Sequence, residues 1–358
     1  MAPAFRVLVI NPGSTGTKLA LFTDEGPEAE ETVQEGASGG ALLDQLPGRI
    51  EGVFRFLRKR GDSPLHAVVG RGGLIRPVPS GTLIVNEAML EDARKGYQGE
   101  HVSNLGCLIA HAVAERYGVP AYVVDPVAVD EMLPLARYTG LPQIRRQALS
   151  HALNLHAAAR KACERLGKKL KESRLVVAHL GGGFSIVPME GGRILDTNNA
   201  NSGGPFSPTR AGTLPTQPLI RLCFSGTVTA ADLKRMTTRE GGLVAHLGTH
   251  DALEVEARIA QGDQKAREVY EAMAYQTAKE IGAMAAVLSF RLDAVVLTGG
   301  LCHSNLFCKL LAERIGSLAP IFRFPGEFEM EALAMGAIRV LRGEEDPIDY
   351  PGETTCEN

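Results

Sequence analysis

Small hydroxyl residues and glycines follow an apolar segment near the start of the chain. Residues 7–10 are apolar, residues 11–17 are polar and rich in glycine, and residues 18–22 are again mostly apolar. Glycine lets backbone amides approach a ligand closely, and successive amides with hydroxyl groups can hold a phosphate. The pattern predicts either a strand–loop–strand phosphate site or an ordinary hairpin turn. The candidate phosphate ligands are Asn11, Gly13, Ser14, Thr17 and Lys18.

A second glycine-rich loop stands in a similar setting about half a chain later. Residues 175–197 give a strand, a loop with Gly181, Gly182 and Gly183, another strand, an acidic-glycine turn and a third strand. Residues 7–33 show the same order. A repeat at this spacing indicates two related domains. Because each domain presents a glycine hairpin, we expect a nucleotide to lie in the cleft between them.

Two charged residues lie at or near predicted strand ends, which is where open α/β sheets bind ligands. Arg71 stands between glycines just after the strand at residues 67–69, and Asp125 ends the strand at residues 121–125. The aspartate could hold a cation or cap the following turn. Arg210 is the single cation of a long polar stretch at residues 196–218, and loops of this length are often functional.

A third glycine turn follows the strand predicted at residues 294–298. Gly299 and Gly300 form this turn, and a helix is predicted after it. A helix N-terminus favours anions. Apolar spacing predicts the other helices, and we expect a frayed tail after residue 343. The predicted helices lie at residues 42–60, 101–118, 141–167, 219–224, 230–235, 251–261, 265–290, 304–315 and 331–343, and a third N-terminal strand lies at residues 29–33.

Composition restricts the class of protein. The 358 residues suggest about two domains, and 44% hydrophobic with 22% charged residues is typical of a globular protein. A net charge of −3 without a long basic run argues against a nucleic-acid partner. The six cysteines form no CxxC pair, so we expect reduced thiols in a cytoplasmic protein. The sequence has no apolar run of membrane-spanning length.

Several long motifs in a fixed order resemble the acetokinase family, within the acetate and sugar kinase, chaperone ATPase and actin superfamily. The motifs are VLVINPGSTGTK, HVSNLG, VVDP, AHLGGGFSI, GPFSPTRAG and VLTGG. Other stretches look specifically like the butyrate kinase branch and its branched-chain fatty-acid relatives: GRGGLIRPVPSGT, TGLPQIRRQALSHALN and GEFEMEALAMGAIRVL. The resemblance covers residues 7–343.

This resemblance implies an α/β fold of two duplicated ribonuclease-H-like (actin-like ATPase) domains with a nucleotide cleft between them. We place the N-terminal domain at residues 1–150, with the helix at 328–343 packing back on it, and the C-terminal domain at 151–327. The implied reaction is reversible phosphoryl transfer from ATP to butyrate, giving butyryl phosphate and ADP, with Mg²⁺ as cofactor. The implied assembly is a homodimer or larger.

The resemblance also assigns roles to single residues. Arg71 and Arg210 would bind the carboxylate and the transferring phosphoryl group, with His151 donating a hydrogen bond to a phosphoryl oxygen. Asp125 and Glu331 would hold Mg²⁺. Glu327 and Glu329 stand close to Glu331 in the sequence, so which of the three is the second magnesium ligand stays open. The remaining assignments are Asn11 as a further catalytic residue, His101 near the substrate, His179 with Gly181–Gly183 in the second phosphate loop, Asp251 near the adenosine, and Gly299 with Gly300 at the third nucleotide turn.

Some alternatives stay open on the sequence alone. His101 could cap its helix, Lys18 could pair with a neighbouring acid, and Gly16 replaces a hydroxyl residue usual in the family. Gly73 beside Arg71 could leave room for an acid longer than acetate, so that Gly73→Val would favour acetate. Isobutyrate, propionate or acetate could be the preferred acid, and a non-catalytic actin-like nucleotide-binding module is the alternative from another class.

Overall fold

The computed structural model describes residues 5–34, 41–61 and 63–351. The chain divides into two units, which we call unit 1 and unit 2. Unit 1 comprises Met1–Asp130 and Phe328–Asn358, and unit 2 comprises Glu131–Glu327. Unit 1 is therefore built from both ends of the chain, whereas unit 2 is a continuous segment.

The secondary structure alternates between strands and helices in both units. The strands are β1 Arg6–Pro12, β2 Thr17–Thr23, β3 Gly26–Val33, β4 Ala67–Arg71, β5 Thr82–Ile84, β6 Ala121–Val124, β7 Arg174–Leu180, β8 Phe184–Glu190, β9 Arg193–Ile194, β10 Ala294–Gly299, β11 Ile321–Pro325 and β12 Ile348–Asp349. The α-helices are α1 Leu46–Arg58, α2 Glu87–Lys95, α3 Leu105–Tyr117, α4 Ala152–Leu166, α5 Thr216–Cys223, α6 Ala230–Thr238, α7 Gly242–Leu247, α8 Ala252–Ala260, α9 Gln264–Val287, α10 Asn305–Ile315 and α11 Glu329–Leu341.

The sheet of unit 1 has the strand order β12-β5-β6-β4-β1-β2-β3. The hairpin β1–β2 and its neighbour β3 are antiparallel, whereas β1, β4 and β6 run parallel. The buried residues of β1, β2 and β4 form one core with the apolar faces of α1, α2 and α3. Helix α11, from the end of the chain, packs on β1, β4 and β6.

The sheet of unit 2 repeats this arrangement with the order β11-β10-β7-β8-β9. Strands β7, β8 and β9 are antiparallel neighbours, and β7, β10 and β11 run parallel. Its core joins β7, β8 and β10 to α9 and α10. In this order the five strands correspond to β6, β4, β1, β2 and β3 of unit 1. This correspondence confirms the predicted duplication and the predicted fold class.

Residues 141–151 are not helical, so the prediction of one helix over residues 141–167 is wrong in its first part. Helix α4 begins only at Ala152. The guanidinium of Arg146 donates to the carbonyl oxygens of Ala136 and Thr197 and pairs with Asp196 at 2.9 Å. These contacts hold the preceding segment in an irregular path.

The same segment explains the boundary between the units. The amide of Leu133 donates to the Leu195 carbonyl at 2.9 Å, and Arg146 is bound to Asp196 and Thr197. Residues 131–150 are thus attached to unit 2. The sequence placed the boundary at residue 150, whereas the contacts place it between Asp130 and Glu131.

The tail after residue 343 is ordered through residue 351, which contradicts the predicted fraying. Strand β12 pairs in parallel with β5, and Tyr350 is 2% exposed. The Tyr350 hydroxyl donates to Asp92 and accepts from the amide of Arg76 at 3.0 Å. The sequence missed this because a two-residue strand carries no periodicity.

Five cysteines lie within the described residues, and all are free thiols; Cys356 lies outside the described residues. Within residues 5–34, 41–61 and 63–351, none of the helices combines the length and the hydropathy that crossing a bilayer would require.

Candidate functional site

Arg71 forms a two-pronged ion pair with Glu329 in unit 1. Arg71 is the last residue of β4, and Glu329 is the first residue of α11. The two terminal nitrogens of Arg71 lie 2.7 Å and 2.8 Å from the two carboxylate oxygens of Glu329. The side chains are 27% and 18% exposed, so the pair lies at the edge of the buried sheet. This fork geometry is the one that arginine uses to recognise a carboxylate.

Asn11 completes this group from β1. Its amide nitrogen donates to Glu329 Oε2 at 2.8 Å, and its amide oxygen accepts from Arg71 at 3.4 Å. The structure thus brings Asn11 and Arg71 together, as the resemblance implies. The acid beside them is Glu329, whereas Glu331 is exposed on the first turn of α11. Among the three candidate acids, position favours Glu329.

The β1–β2 loop is a tight turn, closed by the Gly13 amide on the Gly16 carbonyl at 2.7 Å. Ser14 is exposed at its tip. A Cβ on Gly16 would lie 2.7 Å from the Val33 carbonyl oxygen. The hydroxyl residue usual in the family therefore does not fit at this position without moving the backbone.

Two predicted phosphate ligands in this hairpin point elsewhere. Thr17 is 1% exposed, and its hydroxyl accepts from the guanidinium of Arg49 at 2.8 Å. Its burial contradicts a direct contact with a ligand. Lys18 pairs with Glu30 on β3 at 2.8 Å, which is the alternative that the sequence left open.

Asp125 lies directly after β6, is 6% exposed and has a left-handed backbone with φ of 39°. Aspartate is among the few residues that tolerate this conformation, and such positions are frequent at functional sites. Its Oδ1 accepts from the amide of Gly81 at 2.8 Å, and its own amide donates back to the Gly81 carbonyl. The carboxylate therefore bridges two loops, and it could still supply an oxygen ligand to a cation.

His101 caps the short 3-10 turn that precedes α3. Its Nδ1 accepts from the amide of Ser103 and lies 2.7 Å from the Ser103 hydroxyl. Partial burial of the ring and the nearby charge of Arg71 lower the pKa of His101. The imidazole is accordingly neutral at neutral pH. The capping alternative is confirmed, and the proximity of Arg71 keeps a substrate role open.

Gly73 does not leave open space beside Arg71, which contradicts the premise of its predicted role in admitting a longer acid. A Cβ at this position would lie 2.6 Å from the amide nitrogen and 2.7 Å from the Cα of Asn104. The side-chain oxygen of Asn104 accepts from the amide of Leu74 at 2.8 Å. The glycine is needed because two backbone segments meet here.

Two stacked imidazoles mark the candidate site of unit 2. The rings of His151 and His179 are 4.0 Å apart and nearly parallel, at 17°. His151 is the residue before α4, and its Nδ1 lies 2.8 Å from the Ser185 hydroxyl. His179 is 2% exposed, and its Nδ1 contacts the side-chain amide nitrogen of Asn154 at 2.6 Å. The sequence did not single out Asn154, although it stands three residues after His151, on the first turn of the same helix.

Arg210 packs its guanidinium against the backbone of the second glycine loop. A Cβ on Gly183 would overlap the guanidinium, so only glycine leaves room for Arg210. The neighbouring Gly182 carbonyl accepts from Ser207 at 2.7 Å and from Thr209 at 2.9 Å, which fixes the loop that carries Arg210.

The charge of Arg210 has no partner among the described residues. None of the hydrogen bonds or ion pairs in this part of the chain involves its guanidinium, and burial lowers its pKa. Arginine nonetheless stays charged in proteins. A partly buried cation without a counter-ion is energetically costly, and an anion beside it would reduce that cost.

A cavity of about 550 Å³ opens beside this loop within unit 2. Asp251 caps α8 through the amide of Leu253 at 2.9 Å and lies on the cavity wall. Gly299 has a φ of 96° and closes on Gly326 through two backbone hydrogen bonds. The cavity is lined by residues of all three predicted nucleotide segments of this unit, among them Gly181, Gly182, Asp251 and Gly300.

The fold of two sheets with glycine turns at their strand ends is shared with solved structures of acetate and propionate kinases. Acetate kinase from Porphyromonas gingivalis superposes with a TM-score of 0.81 at 19% identity, covering 94% of this chain and all of that one. A propionate kinase from Francisella tularensis superposes with a TM-score of 0.68 at 19% identity, covering 92% of this chain and 98% of that one. At these identities the comparisons show the fold.

Sequence similarity identifies the family. The profile of the acetokinase family matches residues 134–318. A protein described as probable butyrate kinase 2, from Caldanaerobacter subterraneus subsp. tengcongensis, is 49% identical over 352 residues, which is 97% of this chain and 99% of that protein. The chain belongs to the acetokinase family.

Proposed function

We propose that this protein transfers the terminal phosphoryl group of ATP to a short fatty carboxylate, with butyrate as the preferred acid. The observation that carries the proposal is the 49% identity, over 97% of the chain, to a protein described as a probable butyrate kinase. The fork of Arg71, which already holds a carboxylate, and the unpaired charge of Arg210 support it. The products are the acyl phosphate and ADP, and the reaction is reversible.

The chemistry needs alignment of two anions more than it needs a base. A carboxylate oxygen attacks the terminal phosphorus, a new C–O–P linkage forms, and the bond from phosphorus to the ADP oxygen breaks. The carboxylate is already ionised at neutral pH, so no proton has to be removed from it. Catalysis then depends on positioning and on neutralising the charge of the phosphoryl oxygens.

Arg71 is our candidate for binding the substrate carboxylate. Its fork is held by the carboxylate of Glu329, with Asn11 bound to the same acid. A substrate carboxylate presents the same pair of oxygens and could share or replace this contact. Arg71 and Asn11 are therefore preorganised to recognise a planar anion.

Arg210 and His151 are our candidates for the phosphoryl group. The unpaired charge of Arg210 suits a phosphoryl oxygen, and the half-buried ring of His151 adds a hydrogen-bond donor. His179 is nearly as buried as Thr17, so it is assigned the role of supporting His151 by stacking and not of a direct ligand contact. The contact of Asn154 with Nδ1 of His179 leaves Nε2 to carry the ring proton.

The nucleotide is assigned to the cavity of unit 2, next to Gly181, Asp251 and Gly300. Loop amides at such glycines suit phosphate oxygens. The β1–β2 loop, with Gly13 and Ser14, is assigned to the phosphates as well.

Mg²⁺ fits the donor chemistry of two acids in unit 1. Asp125 and Glu329 offer hard carboxylate oxygens, and Mg²⁺ in kinases takes one or two carboxylates with phosphates and water as its other ligands. Within the described residues no three acids, cysteines or histidines cluster to hold a metal alone. When bound with ATP, the ion would neutralise phosphate charge.

The proposal includes self-association, as the family resemblance implies. Exposed apolar side chains near the start of unit 2 support it: Leu135 is 83% exposed and Tyr138 is 76% exposed. Light scattering after size-exclusion chromatography tests this. A mass of about 38 kDa, that of one chain, would contradict it.

The deciding experiment is trapping of the acyl phosphate with hydroxylamine. Mg-ATP is supplied with acetate, propionate, butyrate, isobutyrate or valerate in parallel, using the native chain, Arg210→Gln and the control Arg221→Gln on the exposed face of α5. We expect butyrate to give the most product, and only Arg210→Gln to lose it. If a branched acid gives the most product, the preferred substrate is that acid and not butyrate. No product with any acid, despite ATP binding, overturns the proposal in favour of a nucleotide-binding module.

A further inference from the structure

Arg49 is a buried cation directly beneath the β1–β2 loop. It lies on the first turn of α1 and is 1% exposed. Its guanidinium donates to the Gly13 carbonyl at 3.0 Å and to the Gly16 carbonyl at 3.1 Å. It also donates to the hydroxyl of Thr17 at 2.8 Å and to the side-chain oxygen of Gln45 at 2.9 Å. The three nitrogens of the guanidinium are all hydrogen-bonded.

The partners of Arg49 are all neutral. Within the described residues no carboxylate forms a hydrogen bond or an ion pair with it, and burial lowers its pKa. Arginine remains protonated even so, and a buried charge without a counter-ion is costly. Arg49 therefore keeps a positive charge behind the loop, and an anion in front of the loop would compensate it.

The carbonyl contacts also determine where the loop amides point. In a trans peptide the C=O and the following N–H point in opposite directions. Because the Gly13 carbonyl points inward to Arg49, the amide of Ser14 points away from it. Within the described residues that amide forms no hydrogen bond. Arg49 thus turns a polar amide toward the side from which a ligand would approach.

We infer that Arg49 is a positioning residue that holds the β1–β2 loop ready for a phosphate and adds its buried charge to the attraction. The inference rests on the proposed function in one respect, that the phosphate belongs to the nucleotide. The hydrogen bonds by which Arg49 holds the loop are present in the chain without any ligand. Hydrogen exchange and kinetics can therefore test the two parts separately.

The experiment compares the native chain with Arg49→Gln, Arg49→Lys and the control Arg60→Gln. Arg60 follows the same helix, binds the Phe56 carbonyl at 2.8 Å and Glu31 at 2.9 Å, and does not contact the loop. Exchange of the hydrogen-bonded loop amides, above all that of Gly13 on the Gly16 carbonyl, is measured without ligand, together with thermal unfolding and the KM values for Mg-ATP and butyrate. Gln45→Ala serves as a milder variant if Arg49→Gln does not fold.

We expect Arg49→Gln to speed exchange of the loop amides by about tenfold and to raise the KM for Mg-ATP by about tenfold, as the loss of a hydrogen bond to a charged group implies. The KM for butyrate should change little, and Arg49→Lys should recover part of the loss because it keeps the charge.

Unchanged loop exchange in Arg49→Gln, or an equal increase in Arg60→Gln, would contradict the inference that Arg49 holds the β1–β2 loop in place. Faster exchange with an unchanged KM for Mg-ATP would contradict the inference that Arg49 promotes phosphate binding at this loop. If the native chain forms no acyl phosphate with any acid, the proposed function fails, and the exchange data still decide whether Arg49 holds the loop.

Discussion

Arg210 can lie against the second glycine loop only because residue 183 has no side chain. We expect Gly183→Ala to displace the guanidinium and to lower kcat/KM for acyl phosphate formation by about a hundredfold, the size of effect seen when one charge-stabilising group is lost. The kinetic assay, with thermal unfolding in parallel, measures this.

Gly282→Ala is the matched control, because a Cβ at Gly282 in α9 meets nothing within 4 Å. It should keep full activity and should be slightly more stable, since alanine favours a helix more than glycine does. A Gly183→Ala variant with native kinetics would show that Arg210 needs no such space.

Gly73 makes a different kind of contact, in which backbone meets backbone. We expect Gly73→Val to lower the free energy of unfolding by about 2 kcal/mol or more, as overpacking of a core does. The folded fraction should keep its ratio of acetate to butyrate activity. Chemical denaturation and the hydroxylamine assay measure the two quantities. A stable variant with a shifted ratio would restore the earlier interpretation of an open pocket.

At the scale of elements, the hydroxyl of Tyr350 ties the segment after β12 to helix α2 and to the loop after β4. It is bonded to Asp92 and to the amide of Arg76, and Asn86 binds the Tyr350 carbonyl at 3.0 Å. We expect Tyr350→Phe to cost about 1–3 kcal/mol of unfolding free energy, because it leaves the amide of Arg76 without an acceptor and removes one of the hydrogen bonds to the buried Asp92. Denaturant titration measures the loss. A change below about 0.5 kcal/mol, the usual size for surface substitutions, would mean that the tail contributes little.

Regular elements were predictable because their patterns are local. The glycine hairpins at residues 7–22 and 175–190, strand β10 and most of the helices follow from apolar spacing and glycine positions, whereas the short helices α2 and α7 were not predicted. The start of α4, the short strand β12 and the partner of Arg71 were not predictable in this way. Each depends on a contact between residues far apart in the chain, such as Arg146 with Asp196 or Arg71 with Glu329. The fold class was therefore clearer from the sequence than the arrangement of the site.

At the scale of the whole molecule, acid should unfold the chain partly through Asp92. Burial alone would raise the pKa of Asp92, but the hydrogen bonds from Arg76 and Tyr350 outweigh it and lower the pKa. Since the folded pKa lies below the ordinary value of 3.8, the stabilisation is complete above about pH 3.8 and is lost as the pH falls through the lower folded value. Unfolding free energies measured from about pH 5 down to about pH 2 should decline less steeply in Asp92→Asn. Parallel curves would exclude this contribution.

Unit 1 contains residues from both ends of the chain, and this has a consequence for biosynthesis. Helix α11 packs on the first sheet and strand β12 adds to its edge, yet both are translated only after the whole of unit 2. The N-terminal strands must therefore wait, with one face uncovered, while the continuous segment Glu131–Glu327 is translated and can fold. Premature termination near residue 327 would leave a finished second unit attached to an unfinished first one.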